Sequence, residues 1–312
     1  MKLAVMGAGA LGCYFGGRLA AAGSDIVFIA RGRQLDALRR DGLRIESPLG
    51  DLHLPEVQAS DDPGEVGEVD LVLFLVKLYD TEAAAKAIGP MLGPQTAVLS
   101  FQNGIDAWER IGGIVGQERV IGGTAVIPAD IKAPGIVRHN GPFAKLTFGE
   151  FDGSDSARCR AFAALLDKAG VDAELVGDIE IRIWQKFIIL SALSALTALT
   201  RLPLGPIRDD PVAAELVTRA IDETAKVGLA ACPGLTEEAA ASMHGFATKL
   251  PDSMRASMLD DLERGRRLEL NDLSGAVVRL AAEHGIDVPF HETVWRALQP
   301  YAAGRPSGAA TA

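Results

Sequence analysis

The chain opens Met1-Lys2-Leu3-Ala4-Val5-Met6-Gly7-Ala8-Gly9-Ala10-Leu11-Gly12 and runs on as Cys13-Tyr14-Phe15-Gly16-Gly17-Arg18-Leu19-Ala20. Leu3 to Met6 is a short apolar run, Gly-x-Gly-x-x-Gly follows it, and the residues beyond have helical spacing. That order is strand, tight turn, helix. Gly7 lets the chain turn sharply, Gly9 lets backbone come close to a pyrophosphate, and Gly12 lets the helix sit on the strand. Ala10, Leu11 and Gly12 then offer N–H groups at the positive end of the helix dipole. The stretch predicts a dinucleotide site; a glycine-rich turn that binds nothing is the alternative.

Outward from it, Asp25 to Ala30 reads as a second buried strand and Leu43 to Ile45 with Leu52 to Leu54 as a short hairpin. Asp70 to Lys77 is almost continuously apolar, the texture of a parallel strand covered on both faces. A helix from Asp80 to Ile88 precedes a strand from Thr96 to Phe101, which ends in Gln102-Asn103-Gly104. Val120 to Ile127 and Lys145 to Phe148 add strands, and a helix over 156–169 with a strand over 172–176 completes the alternation. Strands alternating with helices predict an α/β Rossmann-type, doubly wound sheet over 1–176. Near Gly177-Asp178 the texture turns helical, with stretches at 179–200, 211–229, 236–250, 252–263, 268–284 and 292–302 and a turn at Pro203 to Pro206. Residues 177–303 are thus expected to form an all-α domain, and 304–312 a disordered tail.

The 312 residues suffice for two domains, and a net charge of −10 argues against nucleic acid or an anionic membrane as partner. Cys13, Cys159 and Cys232 show no metal or disulfide spacing, and the five histidines form no pattern, so no metal is expected. With a strand beginning at the second residue and no run of about 20 apolar residues, the expectation is a cytoplasmic protein that does not span a membrane. The long apolar helices suit a homodimer interface as well as a core.

Rossmann sites that take NAD usually carry Asp or Glu at the tip of the second strand, on the ribose 2′-OH. Here the tip carries Arg31, with Arg33 beyond it, while Asp25 opens the strand at its far end. A guanidinium clamps a 2′-phosphate that a carboxylate would repel, so the tip favours NADPH over NAD. Lys77 closes the third buried strand at the same edge. In the helical half, Lys186 stands within Trp184-Gln185-Lys186-Phe187-Ile188-Ile189-Leu190-Ser191. An ammonium on an apolar helix is either a snorkelling surface group or a proton donor.

Taken in order, the glycine turn, Arg31, Val76-Lys77, Asn103-Gly104, Trp184-x-Lys186, and Ser257-Met258-Leu259-x-Asp261-Leu262 through Glu269 resemble the ketopantoate reductase family over nearly the whole chain. The resemblance implies an N-terminal domain that holds NADPH and a helical domain that closes over a small 2-oxo acid, reducing 2-dehydropantoate to pantoate on the route to pantothenate. It implies Lys186 as proton donor and Glu269 as the carboxylate that positions it and contacts substrate. It implies Asn103 beside nicotinamide and substrate, Ser257 on the substrate, and Arg31 and Lys77 on the 2′-phosphate. The family's asparagines four and eight residues past the lysine are replaced here by Leu190 and Ser194. Both share a helix face with Lys186, so that part of the substrate site is more apolar. A paralogue reducing a less polar 2-oxo acid, a member of the β-hydroxyacid dehydrogenase group, and a non-catalytic NADPH-binding sensor are the alternatives. Gly16 and Gly17 each cost a helix about 1 kcal/mol relative to alanine, and close packing on the helical domain or the cofactor is the expected reason.

Overall fold

The computed structural model describes residues 1–306. The chain divides into two compact units, Met1–Ile179 and Glu180–Ala312.

In the first unit, strands and helices alternate from the start: β1 (Lys2–Met6), α1 (Ala10–Ala21), β2 (Asp25–Ile29) and α2 (Gly32–Asp41). There follow β3 (Leu43–Glu46), β4 (Leu52–Leu54), β5 (Gln58–Ser60), α3 (Pro63–Val66), β6 (Val69–Phe74), α4 (Thr81–Ala87), β7 (Leu92–Ser100) and α5 (Ala107–Val115). The unit closes with β8 (Val120–Val126), β9 (Ala129–Ala133), β10 (Ile136–His139), β11 (Lys145–Gly149), α6 (Ala157–Lys168) and β12 (Asp172–Leu175). The main sheet has the order β12-β11-β8-β7-β6-β1-β2-β5. Its strands from β5 to β8 pair in parallel, and β11 runs antiparallel to β8. The strand order reverses at β1, which lies between β2 and β6, and that reversal creates the ligand crevice of a doubly wound sheet. Val69, Leu71, Val72, Leu73 and Phe74 are all buried, as a strand covered on both faces requires.

A second sheet, β4-β3-β10-β9, was only half visible in the sequence. The Leu43–Leu54 hairpin is antiparallel as expected, and β9 with β10 supply the other half. The two sheets together explain Gly16 and Gly17. A Cβ on Gly16 would lie 2.6 Å from Phe28 Cε1 and 2.9 Å from Val5 Cγ2; one on Gly17 would lie 2.8 Å from Ile45 Cδ1. The glycines therefore seat α1 against β1, β2 and β3 within the first unit. That corrects the expectation that they face the helical domain or the cofactor. Gly16→Leu is expected to destabilise this unit by about 1–3 kcal/mol through overpacking, read as a lower denaturation midpoint. An unchanged midpoint would remove the argument.

The second unit is helical: α7 (Ile179–Thr200), α8 (Leu204–Asp209), α9 (Ala214–Ala231), α10 (Glu237–Thr248), α11 (Ser257–Glu263), α12 (Ser274–His284) and α13 (Pro289–Leu298). Three expectations are corrected. The turn at Pro203 to Pro206 is the start of α8, because a proline in the first helical turn lacks only an N–H that the helix would leave unpaired. The stretches read as helix from Asp252 and from Leu268 enter α11 and α12 only at Ser257 and Ser274. α7 is long and apolar enough to cross a membrane by length and composition. It is instead the core helix of this unit, with Phe187, Ile188, Ile189 and residues 191–198 buried.

Of the expected disordered tail, the part over 307–312 lies outside the described residues. Gly304 and Arg305 donate N–H bonds to the carbonyls of Tyr301 (2.9 Å) and Gly265 (3.2 Å).

Candidate active site

In the first unit the expected nucleotide residues gather at the carboxyl edge of the parallel sheet. The strand ends there are laced together. Gly7 and Ala8 donate N–H bonds to the Ile29 carbonyl (3.3 and 3.0 Å), Leu75 donates to Met6 (2.9 Å), and Phe101 donates to Phe74 (3.2 Å). Gly7 has φ +104°, and a Cβ there would sit 2.8 Å from the Val76 nitrogen, so only glycine fits. A Cβ on Gly12 would collide with the Gly7 carbonyl and Val5, which fixes how closely α1 approaches β1. Gly9 is exposed, with nothing within 4 Å of where its Cβ would be.

The backbone accounting fits an anion at this turn. Cys13 N–H bonds the Gly9 carbonyl at 2.9 Å and is the first amide of α1 to find its intrahelical acceptor. The N–H groups of Ala10, Leu11 and Gly12 lie ahead of it, where an α-helix supplies none. No acidic side chain stands in that first turn, so nothing there opposes a phosphate. These residues fit a dinucleotide.

Arg31 is exposed, directly follows β2 through Ala30, and caps α2 with extended backbone. Lys77, half-buried, follows β6, and Asn103, also half-buried, follows β7. Gln102 joins the last two segments, donating from Nε2 to the Val76 carbonyl (3.0 Å) and to Thr81 Oγ1 (2.9 Å). Sequence reading passed over Gln102, because a buried amide that ties two loops leaves no periodic signal.

In the helical unit, α7 carries Lys186, Leu190 and Ser194 at four-residue spacing on one face. Lys186 and Leu190 are half-buried and Ser194 is buried. Burial pushes the Lys186 ammonium down to about 8, and the negative charge of Glu269 partly holds it up. The helix around the lysine is pinned on two sides. Trp184 packs where a Cβ on Gly228 of α9 would come within 2.9 Å of the indole, and meets Phe187 edge-on at 5.9 Å. Ser191 Oγ lies 3.0 Å from Thr224 Oγ1, which lies 2.9 Å from Nε2 of His291 on α13. Burial pushes that imidazole down to about 4, so it stays neutral and acts as a hydrogen-bonding link.

Glu269 is buried in the turn between α11 and α12, where its carbonyl accepts the N–H bonds of Asp272 (3.1 Å) and Leu273 (3.0 Å). The turn is set by Gly265, at φ +65°, and by Arg266, whose guanidinium pairs with Asp261 at 2.8 Å. Asp261 itself is buried. Ser257 is exposed as the first residue of α11. Lys186 and Glu269 are therefore electrostatic neighbours, while Ser257 stands at the start of a different helix.

The sequence pattern of the family described as Ketopantoate reductase PanE/ApbA matches residues 3–153, and that of its C-terminal domain matches 178–302. The chain is 34% identical over 303 residues to the 2-dehydropantoate 2-reductase of Archaeoglobus fulgidus, covering 97% of this chain and 98% of that one. It is 32% identical to a Bacillus subtilis (strain 168) protein described as uncharacterized oxidoreductase YkpB, covering 97% and 99%. Among solved structures, a PanE/ApbA family ketopantoate reductase from Ralstonia eutropha JMP134 superposes with a TM-score of 0.88 at 33% identity, covering 97% and 98%.

Proposed function

The chain belongs to the ketopantoate reductase family, and from that premise we propose that it reduces 2-dehydropantoate to pantoate with NADPH, Lys186 serving as proton donor. At the coarser level it is an oxidoreductase of small 2-oxo acids. The observation that carries the finer reading is the Lys186 ammonium itself. It sits on an apolar helix and is brought down to about 8 by burial, close to the pH at which it must part with a proton.

The glycine turn would hold the pyrophosphate of the dinucleotide, whose nicotinamide would supply the hydride that the ketone carbon accepts. The carbonyl π pair moves onto oxygen, and Lys186 Nζ gives that oxygen its proton, leaving a neutral amine and a 2-hydroxy acid. Glu269 keeps the ammonium charged and in place until then. Asn103 and Ser257 hold the substrate's polar groups by hydrogen bonds, and Arg31 with Lys77 holds the 2′-phosphate of the cofactor.

A second reading is a less polar 2-oxo acid, favoured by Leu190 one turn past the lysine. Leucine offers no hydrogen bond to a substrate hydroxyl, and a site without such a partner discriminates poorly in favour of the hydroxylated acid. Both readings are tested by following NADPH oxidation with 2-dehydropantoate and with branched 2-oxo acids that lack its hydroxyl. Under the first, 2-dehydropantoate gives the highest kcat/KM; under the second, the apolar acids do. Leu190→Asn is expected to move that ratio toward 2-dehydropantoate by about tenfold. NADPH that binds and is never oxidised by any acid in the panel would overturn the enzyme reading in favour of a sensor.

A further inference from the structure

Gln34 lies in the first turn of α2, three residues past Arg31, and its side-chain amide bridges three segments of the first unit. Its Nε2 donates to the Ala8 carbonyl inside the glycine turn at 3.2 Å and to Cys13 Sγ at 3.4 Å. Its Oε1 accepts the N–H of Gly135, at the turn between β9 and β10, at 3.0 Å. Cys13 adds a second bond to the Ala8 carbonyl at 3.3 Å, and burial holds that thiol protonated, its pKa pushed up to about 12. The Ala8 carbonyl thus accepts two side-chain donors, one from α1 and one from α2. Gly135 in turn is wedged against α2, with a Cβ there only 3.2 Å from that of Ala37.

The consequence lies in the peptide planes. Fixing the Ala8 carbonyl fixes the plane that carries the Gly9 N–H, and with it the entry of the chain into α1. The amides of Ala10, Leu11 and Gly12 then point one way before any ligand arrives. An unanchored glycine turn would have to be ordered by the nucleotide itself, at the expense of affinity. We infer that Gln34 is a positioning residue for dinucleotide binding: it pre-sets the pyrophosphate loop from the helix whose cap is Arg31. This rests on the reading of the glycine turn as a nucleotide site.

The test is Gln34→Leu, with binding measured by titration of NADPH and of adenosine 2′-monophosphate, which carries the 2′-phosphate and no pyrophosphate. The expected result is an NADPH Kd raised by about tenfold, the loss of one net hydrogen bond at the loop. Adenosine 2′-monophosphate should bind as to wild type, and kcat at saturating NADPH should be unchanged. Gln34→Met keeps the unbranched length of the side chain without the amide or an added charge, so it is expected to weaken NADPH in the same way while unfolding near the wild-type temperature. Unchanged NADPH affinity overturns the inference. So does an equal weakening of both ligands, because that marks a general disturbance of α2. If wild type prefers NADH, the pyrophosphate comparison is run with NADH. A wild type that binds neither dinucleotide sinks the cofactor reading and this inference with it.

Discussion

Lys186→Ala is expected to lower kcat for 2-oxo acid reduction by about 10²- to 10⁴-fold, the usual contribution of a positioned general acid, with little change in the Kd for NADPH. The split follows from the architecture. The proposed dinucleotide contacts follow β1, β2, β6 and β7 and end by Asn103, whereas the lysine stands on α7 in the other compact unit. The pH dependence gives the same group a second signature. A general acid must be protonated to act, so kcat/KM should be flat below the lysine's value of about 8 and fall about tenfold per pH unit above it. Removing the carboxylate that supports the ammonium should move that limb downward, so Glu269→Gln is expected to lose activity at a lower pH than wild type. Steady-state rates across the alkaline range check both. Wild-type turnover in the alanine variant, or a limb indifferent to Glu269, would rule out the donor role.

How much of this could be read from the residues varies with how local the signal is. The glycine turn, the apolar strand at Asp70 to Lys77 and the whole of α7 are periodic and self-contained, and each declares its element. Lys186 was conspicuous as a charge on so apolar a helix, but its role as donor came only from the family resemblance. What escaped was non-local. β9 and β10 make sense only once β3 is beside them, since a short strand of mixed polarity takes its identity from its partner. Gly16 and Gly17 looked like ligand or interdomain contacts because the sequence does not reveal that Phe28 and Ile45 press on α1. Glu269 entered only through the family resemblance, and its burial appears only when the Gly265 turn ends the helix ahead of it. Gln34 was silent for the same reason, its partners lying 26 and 101 residues away along the chain.

The second large effect concerns the choice of cofactor. Arg31→Asp is expected to reduce the ratio of kcat/KM for NADPH over NADH by about 10²-fold or more. Two terms act together: loss of charge-assisted bonds worth about 1.5–3 kcal/mol, and repulsion between the new carboxylate and the 2′-phosphate. The same carboxylate can accept from the ribose 2′-OH of NADH, so the NADH rate should rise as the NADPH rate falls. The position suits the exchange, because Arg31 already has the extended backbone of a helix cap, and aspartate is a preferred residue there. Ionic strength distinguishes this account from a general weakening of the site. Arg31 and Arg33 are exposed, so their attraction for a dianionic 2′-phosphate is screened by salt, and the proposed preference for NADPH should shrink as salt is added. The aspartate variant has lost most of that attraction and should respond less. A variant that keeps the wild-type preference would move 2′-phosphate recognition from Arg31 to Lys77, the half-buried cation at the end of β6.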